Sequence, residues 1–331
     1  MRTLAIVLLL ALTPALADDG AASIAAGGLV MRREPRVTMA KEVLKISLKK
    51  VEVDYDFRND TDSDVTTEVA FPIPPYTDDI EVDPKQAGFD DFKLWIEGKA
   101  VAFQTDLRAF IGKKDVTAIV NKYNLDIATF AHNDYGATNQ PNQISILPPA
   151  RKQSAYRDGI ISKPHSDGLA DPNWSVHKRY YWSQTFPAHA TIHIRHTYTP
   201  TIGYSLVEPD GIIPPATPAA RKAESPDRRF NREEFTSLCP SPAAITKLSK
   251  FKGYIQPVWV DFILTTANTW ERPIEDFTLI VERTNPEQTV SFCWDGPVEK
   301  LDVNHFRAHT TNLIPTKELH IGFYSTYKPE F

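Results

Sequence analysis

Apolar and polar residues alternate with a period of two along residues 51–75. Val51, Val53, Tyr55 and Phe57 are interleaved with Glu52, Asp54, Asp56 and Arg58, the pattern of a strand with one buried face. Residues 59–64 break the pattern with side chains that bond their own backbone in turns. Val65, Thr67, Val69 and Phe71 resume it, and Pro72, Pro74 and Pro75 end it by removing ladder donors. The stretch predicts an antiparallel hairpin with one apolar face, which a second sheet must cover.

The same period recurs along the chain. Short strands are predicted at 29–32 and 37–40, separated by a turn at 33–35. Leu44, Ile46 and Leu48 alternate on even numbers and Val51 onward on odd ones, so a β-bulge is expected near Lys49 and Lys50. Residues 92–110 predict a second hairpin that turns at 97–99. Val116, Ile119, Val120 and Tyr123 form one stripe at helical spacing, with Asp115 as cap and Asn124 as stop. Residues 125–173 lack a clean period and predict a long inserted loop with a helical turn at 126–130. Strands at 177–186 and 190–198 follow, joined at Pro187 and Ala188.

Residues 206–253 predict a linker, because 207–229 carries five prolines. Two short helices are expected there, one from the capping pair Asn231 and Glu234, the other from Ser241 ahead of Pro242. Val258, Val260, Phe262 and Leu264 restart the β pattern, with further strands at 277–281, 289–294 and 319–323. The expected fold class is all-β: two sandwich domains, 18–205 and 254–331, with a few short helices.

Charge and targeting narrow the setting. Arg2, the apolar run 4–12 and Ala15-Leu16-Ala17 form a signal peptide pattern, with cleavage expected after Ala17. The mature chain is expected in the periplasm or secreted. No later apolar run is long enough to span a bilayer, and no cysteine follows the cut to carry a lipid anchor. The net charge of -5 lacks the basic stripe of a nucleic-acid binder. Cys239 and Cys293, in a chain bound for an oxidising compartment, predict one disulfide that stabilises by roughly 4 kcal/mol.

Five segments in order carry a family likeness: GGLVMRREPRVTMAKEVLKIS at 27–47, VDYDFRNDTDSDVTTEVAFPIP at 53–74, TYTPTIGYS at 197–205, TANTWERPIEDFTLIVE at 266–282 and SFCWDG at 291–296. Together they resemble the domain-of-unknown-function 4424 family of bacterial exported proteins, over nearly all of the mature chain. The resemblance implies an envelope protein with immunoglobulin-like β architecture, so the two sandwiches are expected to be immunoglobulin-like. It implies no functional residues.

Candidate chemistry is sparse. Residues 60–64 space their carboxylates like the start of a calcium loop, but Val65 stands where glycine is needed and Phe71 where a bidentate Glu belongs. His189 and His193 share a strand face about 13 Å apart and His196 points the other way, so the three cannot close on one ion by themselves. No metal or cofactor is expected. The aromatic and polar residues of the middle segment, Tyr135, Tyr156, Asp158, His165, Asp167, Asp171, Trp174, Tyr181 and Trp182, suit a polar ring-bearing ligand such as a glycan. Asp158, Asp167 and Asp171 could supply a carboxylate pair for glycoside hydrolysis. Nucleophile-elbow, zincin, P-loop and dinucleotide motifs are absent. The expected role is a non-enzymatic binding or assembly module whose partner is another envelope protein or a glycan. The alternative is a hydrolase or binder of envelope carbohydrate acting through 125–182.

Overall fold

The structure is a computed structural model, and it describes residues 19–25, 28–77, 91–128, 143–164 and 170–328. The expected signal peptide and its cleavage point lie outside the described residues, as do Tyr135, His165 and Asp167. In chain order the first half comprises β1 (Gly20–Ala25), β2 (Gly28–Met31), β3 (Val37–Ile46), β4 (Val51–Asn59), β5 (Val65–Pro72), β6 (Lys93–Ile96), β7 (Lys99–Ala100), β8 (Gln104–Ile111), β9 (Lys114–Asp115), α1 (Thr117–Lys122), α2 (Pro149–Arg157), β10 (Ser175–Phe186) and β11 (Ala190–Tyr198). The second half comprises β12 (Gly203–Tyr204), α3 (Pro218–Ala223), α4 (Pro226–Ser237), α5 (Pro242–Leu248), β13 (Tyr254–Phe262), β14 (Ile274–Glu282), β15 (Thr289–Phe292), β16 (Val298–Lys300), β17 (His305–Leu313) and β18 (Leu319–Tyr327). The chain is mostly β, with few and short helices.

The strands form three sheets: β2-β1-β5-β10-β8-β9, β16-β17-β14-β3-β4-β11-β6-β7 and β12-β13-β18-β15. The six- and eight-stranded sheets face each other across an aromatic core. Phe57 of β4 meets Phe186 of β10 at 5.7 Å, and Phe71 of β5 meets Tyr198 of β11 at 5.5 Å. The four-stranded sheet lays Val260, Phe262, Ile321 and Phe323 into the same core. Its other face is covered by Phe235, Leu238 and Leu248 of the α4–α5 region.

Several sequence expectations are corrected. The alternating stretch 51–72 is not a hairpin, because β4 pairs with β3 and β11 while β5 pairs with β1 and β10. The turn at 59–64 carries the chain from one sheet to the other, so the two apolar faces meet across the core instead of lying side by side. Asn59 holds this arch by donating to the carbonyls of Ser63 and Phe186. The face flip near Lys49 is the tight turn of the β3–β4 hairpin, closed by Ser47 N–H to the Lys50 carbonyl. The bulge sits instead between Met39 and Lys41, and it moves burial from odd Val37 and Met39 to even Leu44 and Ile46. Finally, α4 starts at Pro226 under a Ser225 cap, which leaves Asn231 inside the helix.

The expected hairpin at 92–110 forms only in part, since β6 pairs with β7 while β8 crosses to the six-stranded sheet and pairs with β10 and β9, and residues 206–253 hold three helices where two were expected. Glu97 and Gly98 turn β6 into β7 with positive φ of 50° and 72°, a conformation natural for glycine. Asp115 accepts from the Thr117 amide at the start of α1, and Asn124 takes a positive φ just beyond its end. Ser241 caps α5 through the Ala244 amide. The proline-rich segment does not separate the strand pairing into two sets. β14 runs parallel to β3 over Asp276–Lys41 to Val281–Ile46, so the eight-stranded sheet takes strands from both sides of that segment.

Candidate functional site

The register of β10 decides the fate of the expected aromatic wall. Val176, Lys178, Tyr180, Trp182, Gln184 and Phe186 point inward and are buried. Trp182 is 3% exposed and Trp174 1%, with the Trp174 indole donating to the Ile127 carbonyl at 2.9 Å. Both are core residues and offer no face to a ligand. Tyr181 lies on the opposite face of β10, against Ala22, Leu29 and Ala70, and donates to Gln104. Tyr156 is exposed on α2.

The acids have separate hydrogen-bond partners. Asp158 accepts from Lys122 Nζ at 2.8 Å and from Tyr123 OH at 2.7 Å, contacts that hold its carboxyl below the usual range. Asp171 receives the Ser162 amide on its carbonyl, and its own amide donates to Ser162 Oγ. The histidines separate as well: His189 meets Asp62, His193 meets Asp54 and Asp56, and His196 is fully buried 3.3 Å from an equally buried Asp19. Burial pushes the Asp19 carboxyl up and His196 pulls it down, with burial the stronger effect. Among the described residues no group of three or more His, Cys, Asp or Glu is placed to hold a metal ion.

A cavity of about 250 Å³ opens elsewhere, where β15 leaves the four-stranded sheet. Its floor is apolar: Leu264 and Leu319 are each 2% exposed. Glu318 fixes that floor, because its carboxylate accepts the amides of Leu264 and Thr265 and the Thr265 hydroxyl. One wall is the turn from Cys293 to Pro297. The predicted Cys239–Cys293 disulfide is present and ties this turn to the second residue past α4, with Cα atoms 5.2 Å apart. Trp294 stacks on Phe277 of β14 at 5.6 Å. Its buried indole N–H finds no acceptor among the described residues. Gly296 is required above it, since a Cβ there would stand 2.9 Å from Trp294 Nε1.

The facing wall is the end of β17 at Leu313 and the loop after it, with Ile314, Pro315 and Thr316. Asn268 braces it by donating to the Pro315 carbonyl at 2.8 Å. His309 and Thr310 complete the lining from β17, and His309 Nε2 lies 2.9 Å from Asp276. Asp295 and Lys317 meet across the mouth at 3.1 Å, both exposed. The arrangement gives an apolar floor, an aromatic wall and polar groups at the rim, the general composition of a small-ligand site. Sequence reasoning passed over it because its residues come from three separated stretches, at 264, 293–297 and 309–319. The available signal was local: a Trp-Asp-Gly-Pro turn next to a cysteine, ending a strand.

No curated protein matches the chain. Among solved structures it is similar to a Legionella pneumophila protein described as "a putative nutrient binding protein", at 14% identity and TM-score 0.44, over 88% of this chain and 68% of that one. It is also similar to native yeast LTA4 hydrolase at 9% identity and TM-score 0.27, over 87% of this chain and 29% of that one. The family model described as "Domain of unknown function (DUF4424)" matches residues 17–321, nearly the whole length, and the chain belongs to that family.

Proposed function

We propose that the protein is a non-enzymatic binding module, exported to the periplasm or beyond, that takes its ligand in the cavity beside Trp294. The observation that carries this reading is the cavity itself, with its rigid apolar floor, polar rim and unmet indole donor. A buried donor without an acceptor costs roughly 1–3 kcal/mol, and a ligand acceptor drawn under the turn recovers it. The disulfide suits an oxidising compartment. As part of the proposal, each half of the eight-stranded sheet forms an immunoglobulin-like sandwich with the sheet it faces.

The test is saturation-transfer NMR of the purified chain against a library of small ring-bearing fragments. Thr310→Trp, which fills the cavity from β17, is the control. Hits on the wild type that vanish in the variant are expected. Hits that persist unchanged, or none at all, overturn the reading.

A further inference from the structure

The cavity lies on an open sheet edge, which says more about its ligand. Successive residues of a strand point to opposite faces, yet His309 and Thr310 both line the cavity. It must therefore wrap around the edge of β17. That edge is only partly covered, because β16 pairs with β17 over Phe306 to Ala308 and no further. The next position opposite His309 is Pro297, which has no N–H, and the chain before it turns aside through Gly296 and Asp295.

Two hydrogen bonds fix which backbone groups face outward. Leu301 N–H donates to the His305 carbonyl on the β16 side, and Arg283 N–H donates to the Asn304 carbonyl on the β14 side. Odd residues of β17 thus aim their backbone groups at β16 and even ones at β14, since the two sides alternate in an antiparallel ladder. Beyond Ala308, the N–H and C=O of His309 and Thr311 point to the uncovered side, where no strand pairs with them among the described residues. Val298, Leu301, Val303 and Ile314 lie exposed along the same margin, from 43% to 60%.

We propose that this edge binds an extended polypeptide segment of another protein. The inference rests on the cavity being the binding site and names its ligand class. The segment continues the line of β16, pairs antiparallel with His309–Thr311, and places one side chain that carries a hydrogen-bond acceptor in the cavity between Trp294 and Leu313. A row of unpaired backbone groups is the template for strand addition, in which main-chain bonds supply affinity and a pocket supplies selectivity. A cavity of about 250 Å³ holds a single side chain of the segment.

The experiment selects binders from a phage-displayed library of random heptapeptides on the full-length chain. Selected peptides are then tested by amide hydrogen exchange and by N-methylation at each position in turn. The expected result has three parts: slowed exchange at His309 and Thr311, a tenfold or greater loss of affinity on N-methylation at every second residue, and the same loss in Thr311→Pro. That proline removes an outward donor while leaving the β14 ladder intact, so its melting temperature should stay near wild type. Peptides that bind without the two-residue period or protect other amides overturn the inference. So does concentration-dependent protection of the same amides without peptide, which would make a second copy of the chain the occupant. If fragments bind the cavity but no peptide is selected, the strand-addition inference fails and the binding reading stands. If neither binds, both fail.

Discussion

At the scale of single residues, the exposed face of the eight-stranded sheet is organised by Glu52. Its carboxylate receives Lys45 at 3.0 Å, Lys50 at 2.7 Å and Arg195 at 2.7 Å, which joins β3, β4 and β11. Arg195 in turn lies over the Trp95 ring of β6 at 5.4 Å. Burial alone would raise the Glu52 carboxyl, but these three donors override it and hold it down at about 2. A depressed carboxylate stabilises the fold above its unfolded value and loses that contribution as pH falls through the folded one. The window runs from the ordinary 4.5 down to about 2. The whole shift corresponds to about 3 kcal/mol, and screening around the half-exposed lysines reduces it to about 1–2 kcal/mol. Glu52→Gln should therefore cost about 1–2 kcal/mol at pH 7, and the gap to wild type should close as pH falls to 2. Urea midpoints measured across that range check it, and a gap independent of pH would remove the carboxylate from the explanation.

At the scale of elements, the sequence was a good guide to strands and a poor one to their partners. Val51 to Phe57 and Val65 to Phe71 read correctly as strands because one face of each is buried. The same alternation arises whether a strand bonds to its successor or faces it across a core, so the β4–β5 arch could not be told from a hairpin. Two of the expected wall residues are buried for a related reason. Trp174 and Trp182 were grouped by proximity in sequence, whereas Trp174 is buried just before β10 and the parity of β10 buries its even residues, Trp182 among them. The Cys239–Cys293 link was legible because only two cysteines exist, and it does more than close a loop. It anchors the turn that carries Trp294 and Gly296, so it shapes the cavity wall. Replacing both cysteines by serine should lower stability by about 2–4 kcal/mol and weaken fragment binding at the cavity. Thermal melts with and without reductant test the first effect, and NMR titration of the oxidised and double-serine forms tests the second. Unchanged binding would mean that Trp294 is held by its Phe277 stack alone.

At the scale of the whole molecule, the proline-rich segment reads as a boundary in sequence, and strand pairing runs across it. β3 would have one bare edge without β14, which pairs with it along six residues. The N-terminal strand depends on the second half too. The Ala21 amide donates to Thr269 Oγ1, the Trp270 indole donates to the Asp19 carbonyl, and Trp270 packs on Phe57 at 4.8 Å. Asp19 faces the buried His196, so loosening this strand would uncover a titratable pair set among Tyr55, Phe71 and Phe92. A fragment ending at Ser205 would therefore expose the flank of β3, lose the indole over Phe57, and leave β1 without its Thr269 and Trp270 anchors. Sheet edges bared in this way favour aggregation. The fragment should be insoluble or lack a cooperative melt, and the full chain should unfold in a single calorimetric transition. The alternative is that each half folds alone and the parallel junction forms by docking. In that case the fragment melts cooperatively and the full chain shows two resolvable transitions, which would make the β3–β14 pairing an interface between domains and not part of one core.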